Sequence, residues 1–351
     1  MDTLSNPLSP IVPPLLAWYR QNARDLPWRA DTDPYHVWLS EIMLQQTRSE
    51  AVLRYYSRFL EAAPDIGALA ALDDDRLHKL WEGLGYYSRA RNLKKAAGIL
   101  LRDYGGSLPG DIEKLRALPG IGDYTAGAVA SIAFGLPCPA VDGNVLRVLA
   151  RLLGSFDDIA DPRTKEKARR LLSEVIPKDA PGDFTQALME LGAVLCLPNG
   201  EPRCASCPLA EFCAAKRRGL TLKLPVKRAA RQRKVQQKTV LFLLRGGAAA
   251  LQKRDGPGLL CGMWELPNLD GWLTESEVLD FLRQSGCAPG RIEPLKARKH
   301  VFTHVEWHMR GFSVELASPG PYQTWATREQ LRTYYALPSA FQGFLTELGF
   351  R

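Results

Sequence analysis

The sequence predicts two domains, an all-α domain followed by a smaller α+β domain, on three observations. Apolar residues recur at helical spacing up to the cysteine-rich segment at 196–213. A stretch from Lys216 to Lys238 then holds ten Lys or Arg residues and no acid. Beyond it the apolar period shortens to that of strands. At 351 residues, 46% hydrophobic and 24% charged, the chain is long for one core and ample for two. The boundaries that follow are 1–215, a basic connector 216–236, and 237–351.

The elements justify this reading in order. "DDDRLHKLWEGL" (73–84) opens with acids, as helix starts do, and "GNVLRVLARLLG" (143–154) spaces its Val and Leu residues along one helical face. "FTQALMELGAVLC" (184–196) is an apolar helix running into the cysteines. "TVLFLL-RGG-AAAL" predicts a hairpin turned at Gly246-Gly247. "HVFTHVEWHM" (300–309) alternates, which predicts one strand with Val301, Val305, Trp307 and Met309 on one face. His300, Phe302, His304, Glu306 and His308 fall on the other, a possible but weak metal pattern.

Composition narrows the function class. The net charge of +8 is concentrated, since the Lys216–Lys238 stretch alone supplies +10 and leaves −2 elsewhere. A nucleic-acid reading therefore has to rest on local motifs. The first basic residue is Arg20, and Pro10, Pro13 and Pro14 break the early apolar run, so no secretory signal is read. "TAGAVASIAFGLPCPAV" (125–141) is cut by Pro137 and Pro139 and predicts a buried helix, not a membrane span. The expectation is a soluble, cytoplasmic protein without a membrane partner, in a reducing compartment where clustered cysteines are metal ligands.

Several stretches can carry chemistry. "LPGIGDYTAGAVA" (118–130) is a Pro-Gly-x-Gly turn into an apolar helix. Gly120, Gly122 and the helix start through Thr125 can offer amides to an anion, although a plain interhelical turn fits equally well. Glu41 lies within apolar "VWLSEIML", where burial would keep a proton on it near neutrality. The bland alternative is a solvated stripe with Gln45 and Arg48. Asp142 precedes a helix and has an ordinary capping explanation. "GLGYYSRARNLKK" interleaves Tyr86 and Tyr87 with basic residues, as strand-stacking surfaces do. Cys196, Cys204, Cys207 and Cys213 have the spacing C-x7-C-x2-C-x5-C, whose thiolates suit zinc or an iron–sulfur cluster. Cys138, Cys261 and Cys287 are scattered and read as structural thiols.

These motifs, with "LPWR" (26–29), "SEIMLQQT" (40–47), "VDGNVLRVL" (141–149), "GLLCGMWELP" (258–267) and "FTH" (302–304), resemble in order and spacing the MutY adenine glycosylases. The resemblance implies a helix-hairpin-helix glycosylase domain with one [4Fe–4S] cluster on the four cysteines, and a Nudix-like C-terminal domain. It implies release of adenine mispaired with 8-oxoguanine or guanine in double-stranded DNA, by a monomer whose abasic product passes to other repair enzymes. By the same resemblance Glu41 is the acid that protonates adenine and Asp142 the carboxylate facing the cation, with Tyr124 and Asn144 in support. Leu26, Trp28, Arg29, Leu44 and Gln186 resemble the adenine pocket. Gln46 and Tyr86 are placed at the intercalation site, and Phe302, Thr303 and His304 in a loop, instead of a strand, at the damaged guanine. Serine is commoner in the family at position 303, and the usual first cysteine spacing is one residue shorter. Related endonucleases carry a lysine where Tyr124 stands. A phenol forms no imine, so a monofunctional glycosylase is expected, not a lyase. "DGWLTESEVLDFLRQSG" lacks the Glu-rich magnesium helix of Nudix hydrolases, which leaves a binding module there.

Overall fold

A computed structural model of the chain describes residues 6–228, 232–256 and 258–350. By internal contacts it forms two compact units, one of residues 1–71 and 91–229, the other of residues 72–90 and 230–351. The connector expected at 216–236 is packed in its first half, because Leu224 is buried within the first unit.

The first unit is helical: α1 (Val12–Asn22), α2 (Pro34–Leu44), α3 (Ser49–Ala62) and α4 (Ile66–Ala71) precede α5 (Asp74–Trp81), which belongs to the second unit. The chain returns through α6 (Ser88–Tyr104), α7 (Ile112–Arg116), α8 (Asp123–Phe134), α9 (Gly143–Leu153), α10 (Pro162–Ser173), α11 (Pro181–Val194) and the short α12 (Ala214–Arg217). Two features position the site. Helix α2 starts with Asp33 accepting from the amides of Tyr35 and His36 and with Pro34 in its first turn. From Val37 to Met43 every residue is buried, so the helix is enclosed on all sides. The core of α1, α9, α10 and α11 includes Leu15, Val145, Leu149, Leu172, Phe184 and Leu188, and Cys196, Cys207 and Cys213 pack against it. Among the described residues, no helix is long and apolar enough to cross a membrane.

The second unit carries β1 (Lys234–Arg245), β2 (Ala248–Lys253), β3 (Trp264–Glu265), β4 (Asn268–Asp270), β5 (Cys287–Val301), β6 (Val305–Pro319) and β7 (Thr324–Ala326). Helices α13 (Glu275–Gln284), α14 (Arg328–Thr333) and α15 (Ser339–Glu347) complete it. The sheet order is β3-β2-β1-β6-β5, with β4 on β1 and β7 on β2. Strand β1 runs parallel to β6, from Lys234 opposite Val305 to Leu244 opposite Glu315. "VLFLL" is continuously apolar because both sheet faces are covered: Val240 and Phe242 join the core with Phe341 and Phe344, Leu241 and Leu243 the core with Val278 and Leu282. The predicted hairpin is present, Arg245 pairing with Ala248 around Gly246 and Gly247, both at positive φ. Alternation alone reads 300–309 as one strand, but β5 ends at Val301, and a tight turn, closed by the Phe302 amide on the Val305 carbonyl at 2.8 Å, starts β6, at the place where the resemblance implied a loop. Alternation survives such a turn, so periodicity alone does not reveal it.

Residues 72–90 pack within this second unit. Lys79 Nζ donates to the carbonyl of Leu331 at 2.9 Å, Trp264 Nε1 to Asp75 at 2.9 Å, and the Leu337 amide to Glu82 at 3.1 Å.

Candidate active site

The buried helix α2 delivers Glu41 into a cleft of about 600 Å³ in the first unit. Leu26, Trp28, Arg29, Leu44, Tyr124, Asp142, Asn144 and Gln186 line the same cleft, so nine of the sequence-derived positions, Glu41 included, converge there. The solvated-stripe alternative for Glu41 fails, because α2 stops at Leu44 and Glu41 is buried. Burial raises its carboxyl to about 7, Tyr124 opposes the rise by a hydrogen bond, and Asp142 adds to it. That bond runs from the Tyr124 hydroxyl to Glu41 Oε2 at 2.6 Å. The phenol itself is pushed well up, first by burial and then by the charge of Glu41.

Asp142 is both cap and site residue. Its Oδ1 accepts the Val145 amide at 2.7 Å at the start of α9, and its Oδ2 accepts from Asn144 Nδ2 at 2.8 Å. Burial leaves this carboxyl raised as well, and those bonds and nearby Arg147 offset part of the rise by favouring the anion. The cleft thus holds two unlike carboxyls. Glu41 is the proton holder, and Asp142 is the carboxylate on which two donors favour the anion.

Sequence reasoning missed Glu190. It is 1% exposed and accepts from Arg24 Nε at 2.6 Å, Arg24 Nη2 at 3.0 Å and Arg29 Nη2 at 2.8 Å. Burial alone would raise its carboxyl, yet the two guanidiniums outweigh that and hold it below the usual range. Arg29 also lies over the Tyr19 ring at 5.6 Å, a cation–π contact. The signal was available: "ALMELGAVL" puts an acid in an apolar helix, as "VWLSEIML" does.

The hairpin joins α7 to α8. The Ile121 amide closes on the Leu118 carbonyl at 3.1 Å, and Gly122 precedes α8 with no side-chain cap, so the first amides of the helix are unclaimed by a cap. Gly120 has φ +81°, and a Cβ there would lie 2.8 Å from Asn92 Cβ. The Thr125 side chain is buried and Oγ1 accepts from Gln45 at 3.1 Å, so only its backbone amide remains for an anion.

The four cysteines line one small cavity with Val148, Leu152, Leu191 and Leu209. Four cysteines on one hollow are the residue type that holds a thiolate-bound metal group, while among the described residues no group of three or more His, Cys, Asp or Glu side chains is set to hold a metal ion. The extra residue in the first loop is absorbed in a turn with Gly200 at φ +72°, and the Arg203 amide closes the loop on the Leu195 carbonyl at 2.9 Å. Arg151 Nη1 donates to Cys196 Sγ at 3.1 Å. A chain of bonds also runs from this loop to the cleft. Arg147 donates to the Cys196 carbonyl and to Asn144 Oδ1, each at 2.8 Å, and Asn144 donates to Asp142. Gly192 permits this, since a Cβ there would lie 2.6 Å from Asn144 Cβ.

Gln46, in the first unit, is exposed with φ +59°. In the second unit Tyr86 has φ +48° and is 44% exposed, so two of the residues expected to intercalate occupy a backbone region that L-residues rarely adopt. Thr303 Oγ1 donates to the Tyr86 hydroxyl at 3.2 Å. Phe302 is an anchor, half-buried with its ring 4.9 Å from Trp307, whereas Thr303 and His304 are exposed at the turn. The histidine face suggested as a metal pattern is dispersed: His308 and Lys299 bind Glu306, and His300 lies against Phe302 and Ser339. In α13 the acid Glu277 serves a capping box with Thr274.

Comparison with known proteins agrees with this layout. Residues 39–178 match the HhH-GPD superfamily of base excision DNA repair proteins, and residues 239–347 match the NUDIX domain. The chain is 32% identical over 386 residues to adenine DNA glycosylase from Homo sapiens, covering 91% of this chain and 70% of that protein. It is 36% identical over 305 residues to adenine DNA glycosylase from Buchnera aphidicola subsp. Acyrthosiphon pisum, covering 86% and 85%. Among solved structures it resembles a thermostable thymine-DNA glycosylase at TM-score 0.55 and 27% identity, over 60% of this chain and 97% of that one. A trapped endonuclease III–DNA covalent intermediate follows at TM-score 0.51 and 26% identity, over 59% and 93%. With the helical domain, the sheet domain and these relatives in agreement, the chain belongs to the adenine DNA glycosylase family, enzymes of base excision repair.

Proposed function

We propose that this glycosylase hydrolyses the N-glycosidic bond of adenine mispaired with 8-oxoguanine or guanine in duplex DNA and leaves the strand intact. The observation that carries the reading is the carboxyl pair. Glu41, held near 7 and bonded to Tyr124, shares one cleft with an Asp142 that two donors keep anionic. Glycosidic cleavage asks for these two forms: an acid that protonates the leaving purine and an anion facing the developing oxocarbenium ion. The flipped adenine enters between Trp28, Leu26 and Leu44, with Arg29 and Gln186 at its polar edge. Tyr124 supplies no amine for a Schiff base, so water completes the reaction.

Gly120, Gly122 and the first amides of α8 hold a backbone phosphate. Gln46 and Tyr86 fill the space left by the flipped base, and Thr303 and His304 read the opposite guanine, steadied by Phe302. Cys196, Cys204, Cys207 and Cys213 hold one [4Fe–4S] cluster. When bound, it would tie the four sulfurs of the loop to one another and, through Cys196, to the end of α11. The protein acts as a monomer and passes an abasic site to other repair enzymes.

A duplex with adenine opposite 8-oxoguanine, incubated with protein and then with alkali, tests this. Strand breaks at adenine that need alkali are the expected result. Breaks without alkali would mean a lyase, and binding without any break would mean a non-catalytic reader.

A further inference from the structure

Six of the ten cations between Lys216 and Lys238 lie on the segment Lys216–Arg228, which belongs to the first unit. This segment is pinned. The Leu220 amide bonds the Ala215 carbonyl at 2.7 Å, Leu224 is 1% exposed, and its carbonyl accepts from buried Arg151 Nε at 2.9 Å. Further on, the Ile159 amide bonds the Val226 carbonyl at 3.0 Å. The apolar side of the strap is therefore fixed, while Lys216, Arg217, Arg218, Lys223, Lys227 and Arg228 are all exposed. Arg228 has Asp158 at 3.6 Å; among the described residues the other five form no ion pair.

Like charges held at fixed places repel one another, and a polyanion removes that cost on binding. A mobile Lys-rich tether could spread its charges instead; a strap anchored at three points cannot. Its anchor also has a position relative to the chemistry. Arg151 and Asp142 stand at opposite ends of α9, nine residues or about 13 Å apart along the axis. That is the length of about four base-pair steps of a duplex. We propose that the strap Lys216–Arg228 is a second backbone-binding element, separate from the hairpin, that takes phosphates of duplex DNA flanking the target base.

The inference rests on the DNA-binding reading above, and its test keeps the two apart. Lys223→Gln/Lys227→Gln in the full chain is titrated with a short undamaged duplex over a range of salt concentrations. If both lysines meet phosphates, the slope of log affinity against log salt becomes shallower by about 1.8, at about 0.9 per lost contact. Lys223→Arg/Lys227→Arg, which keeps the charge, retains the original slope. An unchanged slope and affinity in the Gln variant would overturn the proposal, as would a loss confined to polyglutamate or to anionic phospholipid vesicles. A wild-type protein that shows the salt dependence yet releases no adenine would overturn the glycosylase reading and leave the strap standing. Adenine release by wild type with an unchanged Gln-variant slope would do the reverse.

Discussion

Tyr124 donates its hydroxyl to Glu41 Oε2 across 2.6 Å, and this bond works against the burial that raises the Glu41 carboxyl to about 7. A donor to the carboxylate favours its charged form. Removing the hydroxyl in Tyr124→Phe should therefore move the Glu41 titration upward. The basic limb of the pH profile for adenine release falls near 7 in wild type on this reading and at higher pH in the variant. Single-turnover rates across that range check it, and a limb that stays or moves down would refute the pairing.

Glu41 also links stability to pH. Its pKa is raised on folding from an ordinary 4.5 to about 7, so the native state holds the proton more tightly than the unfolded chain. The sign follows: this contribution is fully present below about 4.5, is lost as pH rises through about 7, and is flat beyond. Glu41→Gln does not titrate. Relative to wild type it should gain about 3 kcal/mol of stability between those limits, at about 1.4 kcal/mol per pH unit. Denaturant unfolding of both proteins at pH 5 and pH 8 measures the difference, while adenine release by the variant should fall at least ~10²-fold.

Asp142→Asn keeps the size of the side chain and its place at the start of α9, and removes the charge facing the cation. Excision should fall by at least ~10² with mismatch binding retained. Near-normal single-turnover excision would remove Asp142 from the chemistry.

What could be read from the sequence, and what could not, divides by range. At Glu41 the residues alone allowed a buried acid or a solvated stripe and the resemblance chose between them, while the cysteines were legible because their spacing is local. Glu190 carried the same local signal, an acid in an apolar helix, but its pairing was hidden, since Arg24 and Arg29 stand 166 and 161 residues away and only packing brings them together. The assignment of 72–90 to the second unit was equally hidden, because Lys79 meets Leu331 across 252 residues. Near 302 periodicity misled where the resemblance, which implied a loop, did not. A short turn preserves alternation, so the pattern fitted one strand while the backbone made two.

Arg147 bonds the Cys196 carbonyl, the Gly192 carbonyl and Asn144 Oδ1, each at 2.8 Å, and is 7% exposed. Arg147→Lys keeps the charge but cannot span three acceptors with a planar fork. Asn144 should then hold Asp142 less firmly, and the cysteine loop should loosen. The expected result is a fall in excision of about tenfold together with faster loss of iron to a chelator. Wild-type rates for both would mean that the bonds carry no coupling.

The last prediction concerns Thr303, whose hydroxyl donates to Tyr86 at 3.2 Å within the second unit. A chain cut near Lys234 would test the guanine-reading role poorly. It would also strip α5 of Leu331, Leu337 and Trp264, to which Lys79, Glu82 and Asp75 are bonded. A point variant isolates the role. Thr303→Val keeps the branched shape and removes the hydroxyl, losing a bond worth about 1 kcal/mol, or about fivefold. Preference for 8-oxoguanine over guanine opposite adenine should drop by that factor. Thr303→Ser should hold the wild-type preference, because it keeps the donor and sheds only a methyl. Tyr86→Phe keeps the ring that fills the stack and removes the partner of Thr303, so it should match Thr303→Val, and the double variant should be no worse than either single one. Additive losses in the double variant would mean that each hydroxyl meets the guanine independently, and equal preference in all four proteins would take this turn out of damage recognition.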